Sequence, residues 1–127
     1  MTYQTTISVD PQRVQDMIVG AFEGGSNYWL GRGRVELLRP AYAELPDDGV
    51  VWYGNSKRNV FAEDFKVTIA VPDDALYTLE PASVTNGLRV MAEKYARHFA
   101  DMTSENDDAD THDVFLQCCL FGDVIYG

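Results

Sequence analysis

Phe65-Lys66-Val67-Thr68-Ile69-Ala70-Val71 is the stretch on which the reading of the fold turns. Phe65, Val67, Ile69 and Val71 fall on one side of an extended chain and Lys66, Thr68 and Ala70 on the other, because successive strand side chains point to opposite faces. A strand with one covered and one wet face implies an antiparallel sheet backed by helices. Upstream lie shorter runs of similar character, at residues 27–30, 34–38 and 50–53. Turn chemistry separates them at Pro46-Asp47-Asp48-Gly49 and Gly54-Asn55-Ser56. Near the start, Tyr3, Thr5, Ile7 and Val9 alternate with Gln4, Thr6 and Ser8, which predicts a strand over 3–9. Val124-Ile125-Tyr126 offers a closing strand.

Two helices flank these runs. Asp10 followed by Pro11 is an N-cap and first-turn pair, after which Val14, Met17, Ile18, Ala21 and Phe22 recur at helical spacing until Gly24-Gly25 ends the pattern. Val84, Leu88, Met91, Ala92, Tyr95, Phe99 and Met102 trace one face of a second, longer helix. Gly87 weakens that helix by about 1 kcal/mol relative to Ala, so packing has to hold it. A short C-terminal helix, capped by Asp110 or Thr111 and stopped by Gly122, follows an acidic linker. The expected fold is therefore a single α+β domain over 1–127. Its mainly antiparallel sheet of about five strands packs against two amphipathic helices, and the short C-terminal helix closes one end.

Composition supports one globular core: 46% of the 127 residues are apolar, and seven Tyr, six Phe and two Trp are present. So many aromatics in a short chain leave room for an apolar homo-oligomer face. Twenty acids against ten bases give a formal charge of −10. That charge repels nucleic-acid phosphate and anionic lipid, which argues against direct nucleic-acid binding, and it attracts basic proteins. The two cysteines, Cys118 and Cys119, are adjacent and poorly placed for a mutual disulfide, which suits a reducing cytoplasm. The first residues lack the charged and apolar regions of a secretory signal, and no run approaches the ~18 apolar residues of a membrane span.

From Asp101 onward the chain carries seven carboxylates (Asp101, Glu105, Asp107, Asp108, Asp110, Asp113 and Asp123) and no Lys or Arg. Sequence neighbours cannot neutralise such a run, so its charge has to meet water, a cation or a basic surface.

Two stretches carry a likeness: Ala21-Phe22-Glu23-Gly24-Gly25-Ser26-Asn27-Tyr28-Trp29, and the tail from Met91 through Arg97-His98-Phe99-Ala100-Asp101 and Asp113-Val114-Phe115-Leu116-Gln117 to Gly127. Together they resemble a family of small proteins encoded by bacteriophages and prophages, a family with no settled biochemical role. The resemblance implies a bacterial host cell as the setting and carries over no catalytic residue. Phage accessory proteins of this size often bind and block host machinery, including bacterial immune systems, an argument by association.

The acidic run places Asn106, Asp108 and Asp110 at the first, third and fifth positions of a calcium loop. Thr111 stands where that loop needs Gly and Gln117 where it needs Glu, so helix capping explains the run better. His98, Asp101 and His112 could reach one metal, yet their spacing is not that of a known metal motif, and no cofactor is expected. Cys118 and Cys119 sit in an apolar helix, where burial makes a thiol inert. Glycines at 24, 25, 31 and 33 expose backbone N–H groups beside Tyr28, Trp29, Arg32 and Arg34. Trp52, Tyr53, Asn55, Lys57 and Arg58 are candidates for a second edge, which together would suit a cyclic or linear nucleotide. The same residues also suit a helix cap, a hairpin and core packing.

The expected function is a non-enzymatic inhibitor of a host factor in bacterial defence. It would present an acidic, nucleic-acid-mimicking surface of Asp101, Glu105, Asp107, Asp108, Asp110 and Asp113 to a basic host protein. The alternative is a sponge for a nucleotide immune signal, built on Tyr28, Trp29, Arg32, Arg34 and Trp52.

Overall fold

The computed structural model describes residues 1–31, 36–38 and 50–127, with side chains left aside at 36–38. The expected turn at 46–49, and Arg32 and Arg34, lie outside the described residues.

Helix α1 spans Pro11–Gly20, and the Asp10 carboxylate caps it by accepting the Gln12 N–H at 2.8 Å, as the Asp-Pro pair predicts. The chain then passes through a wide turn, Ala21–Gly25, in which extended Gly24 (φ 177°) breaks the helical path and the Ser26 N–H closes on the Ala21 carbonyl at 2.9 Å. Helix α2 is a single turn, Asn27–Leu30. Strand β1 (Glu36–Leu38), a 3₁₀ turn at Trp52–Gly54, and strands β2 (Val67–Ala70) and β3 (Leu76–Leu79) follow. Helices α3 (Pro81–Lys94), α4 (Ala96–Thr103) and α5 (Ala109–Phe121) complete the described elements.

The protein is mostly helical, which overturns the expectation of a five-stranded sheet. Among the described residues its sheet has three short antiparallel strands in the order β1-β2-β3, with Leu37 opposite Ile69 and Ile69 opposite Tyr77. The alternation in 65–71 does mark a strand, whose Val67 and Ile69 are fully buried. Its partner β3 was not foreseen, nor was the connection between them, in which Asp73 adopts a left-handed conformation (φ 60°).

Each missing strand has a physical reason. Residues 3–9 keep an extended-type sequence but pair with no strand among the described residues, and without ladder hydrogen bonds a period of two does not make a strand. Residues 27–30 continue a helical path from Ser26, since so short an apolar run carries no decisive periodicity. Over 50–53 the chain turns instead, with the Gly54 N–H on the Val51 carbonyl at 2.9 Å. Over 124–126 side chains replace a ladder: Asp123 Oδ1 accepts the Val124 N–H, and Gln117 Oε1 accepts those of Ile125 and Tyr126, each at 2.8 Å.

The C-terminal helix is the largest departure. It is no lid at one end but the central element, with every residue from Phe115 to Leu120 buried, as a helix apolar on all sides must be. Helices α1 and α3 pack along it and β3 meets it. Close approach is secured by glycines. A Cβ on Gly87 of α3 would lie 2.5 Å from Cys119 Sγ and 2.7 Å from the Cys119 backbone N, and one on Gly25 would lie 2.5 Å from the Ala109 carbonyl oxygen. The helix expected over 84–102 breaks at Tyr95 (φ −128°, ψ 50°) into α3 and α4. Gly122, left-handed at φ 73°, ends α5 where the sequence placed the stop.

Candidate functional site

The carboxylates from Asp101 onward lie along the end of α4, the loop after it, the first turns of α5 and, at Asp123, just past the end of α5, and they fall into three groups. The first is consumed by the fold. Asp108 is the N-cap of α5, accepting the Thr111 N–H at 3.0 Å and the Thr111 hydroxyl at 3.1 Å. These bonds, that from the Thr111 backbone foremost, hold its carboxyl below the usual range. Asp113 is 7% exposed and receives four hydrogen bonds: Ser26 Oγ at 2.8 Å, Trp29 Nε1 at 2.7 Å, Gln117 Nε2 at 3.0 Å and the Tyr28 hydroxyl. Burial, then the bond to Asp113, raises the Tyr28 phenol to about 12, so Tyr28 stays a neutral donor.

The second group is paired with cations from distant segments. Arg13 of α1 donates to Asp107 Oδ1 at 2.9 Å and to the Met102 carbonyl at 3.2 Å, and it also bonds Asp16. His112 Nε2 lies 2.6 Å from the other Asp107 oxygen. Burial works against the Asp107 carboxylate, yet the bonds from His112, its own backbone and Arg13 outweigh this and hold its pKa low. Asp123 is met by Lys94 at 3.0 Å and by the Tyr95 hydroxyl at 2.6 Å.

The third group remains. Asp101 in the last turn of α4, Glu105 in the loop and Asp110 in the first turn of α5 make no side-chain hydrogen bond and no ion pair shorter than the 4.0 Å between Glu105 and Arg13, among the described residues. Asp110 is exposed and the Glu105 side chain is 78% exposed. Glu105 also carries an unusual backbone. It occupies the left-handed position (φ 61°) after α4, with its N–H on the Met102 carbonyl at 3.3 Å and the Asn106 N–H on the Asp101 carbonyl at 2.8 Å. That is a Schellman ending, in which glycine is the usual occupant.

Of the residues expected to cradle a nucleotide, the described Trp29 and Trp52 fall in different clusters. Trp29 is 8% exposed, stacked on Tyr126 at 5.1 Å and in contact with Phe121, while its indole N–H is held by Asp113. Trp52, 7% exposed, packs with Phe22, Tyr53 and Phe65. Tyr28 alone of the three is exposed, at 60%. The structure thus joins two stretches that the sequence kept apart: Tyr28 and Trp29 bind the buried end of the acidic run.

The His98, Asp101 and His112 trio is not brought together as a metal cluster, and no group of three or more His, Cys, Asp or Glu suited to a metal occurs among the described residues. His98 Nδ1 lies 3.0 Å from the Thr111 hydroxyl, and His112 is engaged by Asp107. Cys118 and Cys119 are free thiols buried in α5. Burial, with Asp123 nearby, pushes Cys118 up to about 12, and burial also raises Cys119 well above the usual thiol value. Among the described residues no helix is long and apolar enough to cross a membrane. Sequence reasoning missed Arg13, Ser26, Lys94 and Gln117. Their partners lie 4 to 94 residues away, and only Gln117, four residues after Asp113 on one helix, carried a local signal.

No family model, no curated protein and no solved structure matches this chain.

Proposed function

We propose that the protein is a non-enzymatic binding protein that occupies a basic, nucleic-acid-binding surface of a partner through the corner between α4 and α5. Asp101, Glu105 and Asp110 make the contact, and Asp107, Asp108 and Asp113 hold the corner in shape. Glu105 carries the reading. A residue with a Cβ in the left-handed region costs about 1 kcal/mol or more, glycine would avoid that cost, and such strain is a pointer to function. Here the strained residue presents a carboxylate that is 78% exposed. The formal charge of −10 adds long-range attraction for a basic surface and repulsion of free nucleic acid. On the phage-family resemblance, the partner is a host defence protein in the bacterial cytoplasm, and the consequence of binding is its neutralisation.

The test compares the wild-type chain with the triple variant Asp101→Asn, Glu105→Gln, Asp110→Asn as bait in a bacterial lysate. The expected result is retention of nucleic-acid-binding proteins that short duplex DNA displaces and that the variant fails to hold. Equal retention by both baits rejects the reading.

A further inference from the structure

We propose that residues 3–9 form an intermolecular strand on the open edge of β3 in a second copy of this chain, producing a strand-exchanged dimer. Tyr3, Thr5, Ile7 and Val9 alternate with Gln4, Thr6 and Ser8, and residues 2–9 hold no charge, no Gly and no Pro. This is the composition of a strand. Yet Tyr3 is 86% and Ile7 61% exposed, and none of residues 1–9 makes a backbone hydrogen bond among the described residues. Among the described residues, then, a strand-forming segment has no ladder.

Strand β3 in turn has an edge that no described strand pairs. The Val71 N–H donates to the Ala75 carbonyl at 3.1 Å, and the register runs Ala70–Leu76, Ile69–Tyr77, Thr68–Thr78, Val67–Leu79. Antiparallel pairs alternate between bonded and non-bonded, so Tyr77 and Leu79 turn their backbone groups toward β2 while Leu76 and Thr78 turn theirs outward. β3 is the last strand in the order, Leu76 is 58% exposed, and no described backbone group pairs with the outward N–H and C=O groups of Leu76 and Thr78. Unpaired edges of this kind are templates for another strand.

The occupant follows from chemistry and charge. Added to β3, the Tyr3, Thr5, Ile7, Val9 row extends the covered face of Val67, Ile69, Tyr77 and Leu79, and the Gln4, Thr6, Ser8 row extends the face of Thr68 and Thr78. Asp73, Asp74 and Glu80 flank β3 and repel acidic chains, so an uncharged strand suits this edge. Seven extended residues reach about 23 Å, enough to run the whole of a four-residue strand. Among the described residues the segment and the edge are both unpaired, and two-fold exchange satisfies both at once.

The experiment measures mass by sedimentation and amide hydrogen exchange over a concentration series, on the full chain and on Thr6→Pro/Ile7→Pro. Prolines at consecutive positions remove a ladder donor whichever way the strand faces. The expected result is a concentration-dependent doubling of mass, with the amides of 3–9 and of Leu76 and Thr78 slowing together. The proline variant should stay at monomer mass with unchanged circular dichroism, since residues 1–9 make no backbone hydrogen bond among the described residues. Four outcomes overturn the proposal: monomer at all concentrations, slowing of those amides at monomer mass, a dimer in which they stay fast, and a dimer that survives the prolines.

Discussion

The Trp29 indole N–H reaches across 84 residues of sequence to the Asp113 carboxylate, at 2.7 Å, in a site that holds no cation within ion-pair distance among the described residues. A buried carboxylate is costly unless donors replace its water, and here Ser26, Tyr28 and Gln117 supply the remaining bonds. The Gln117 amide then passes the constraint on, accepting from Ile125 and Tyr126 and so pinning the chain end against Trp29. Asp113 is thus the polar centre that sets α2, α5 and the tail in register.

Replacing Asp113 with Ala should cost about 3 kcal/mol, since it strands several buried donors at once. Asp113→Asn should cost less, because its amide oxygen still accepts while its amide N–H₂ opposes donors on one side. Urea midpoints at unchanged slope provide the check. A loss within 0.5 kcal/mol for Asp113→Ala would mean that water fills the site without penalty.

This centre explains how much of the molecule the sequence disclosed. Local rules located the Asp10 cap, the Gly122 stop, the β2 strand and the helical faces, because each depends on neighbours within a turn or two. They failed where the deciding partner was remote. Charge counting could not tell a solvated Asp from one held by Arg13 or by an indole. Periodicity could not tell that residues 3–9 pair with no edge among the described residues. Residues 21–29 and 91–127 pack on one another through Asp113, a relation that neither stretch reveals alone.

Gly87 gives a prediction of sign. In an exposed helix Gly→Ala gains up to about 1 kcal/mol. In α3 the new methyl would meet the backbone of Cys119 at 2.7 Å, and backbone does not give way as a flexible side chain does. Gly87→Ala should therefore lose about 1–3 kcal/mol. Thermal and urea unfolding decide it, and a gain in stability would mean that α3 and α5 are set further apart.

Acid should unfold the protein through its depressed carboxylates. The Tyr95 hydroxyl and then Lys94 lower Asp123 from 3.8 to about 2, and Asp107 and Asp108 are also held low. A carboxylate whose folded pKa lies below its unfolded value contributes stability that is complete above the unfolded pKa and is lost as pH falls through the folded one. For Asp123 that window runs from about 4 down to about 2. Urea midpoints should be level near neutrality and fall across this range, with a shallower fall in Asp123→Asn. An identical fall in that variant removes Asp123 from the account.

Both thiols should be silent in the folded state. Cys118 and Cys119 are buried in α5 and their pKa values are raised, Cys118 to about 12, so little thiolate exists at pH 8. A chromogenic disulfide reagent should label neither within minutes and both after unfolding in urea. Rapid native reaction of one equivalent would show that α5 opens locally.

Glu105 sets stability against function at a single position. Its left-handed backbone in the Schellman turn favours glycine, so Glu105→Gly should stabilise the protein by about 1 kcal/mol while removing a carboxylate from the proposed contact surface. Binding to the basic partner should weaken and lose part of its salt dependence, whereas Asp110→Asn should weaken binding with stability changed by less than about 0.5 kcal/mol. Unfolding midpoints and binding isotherms at two salt concentrations separate the effects. If Glu105→Gly gains stability with binding unchanged, the strain at Glu105 has no part in recognition, and the acidic corner must act through Asp101 and Asp110 or not at all.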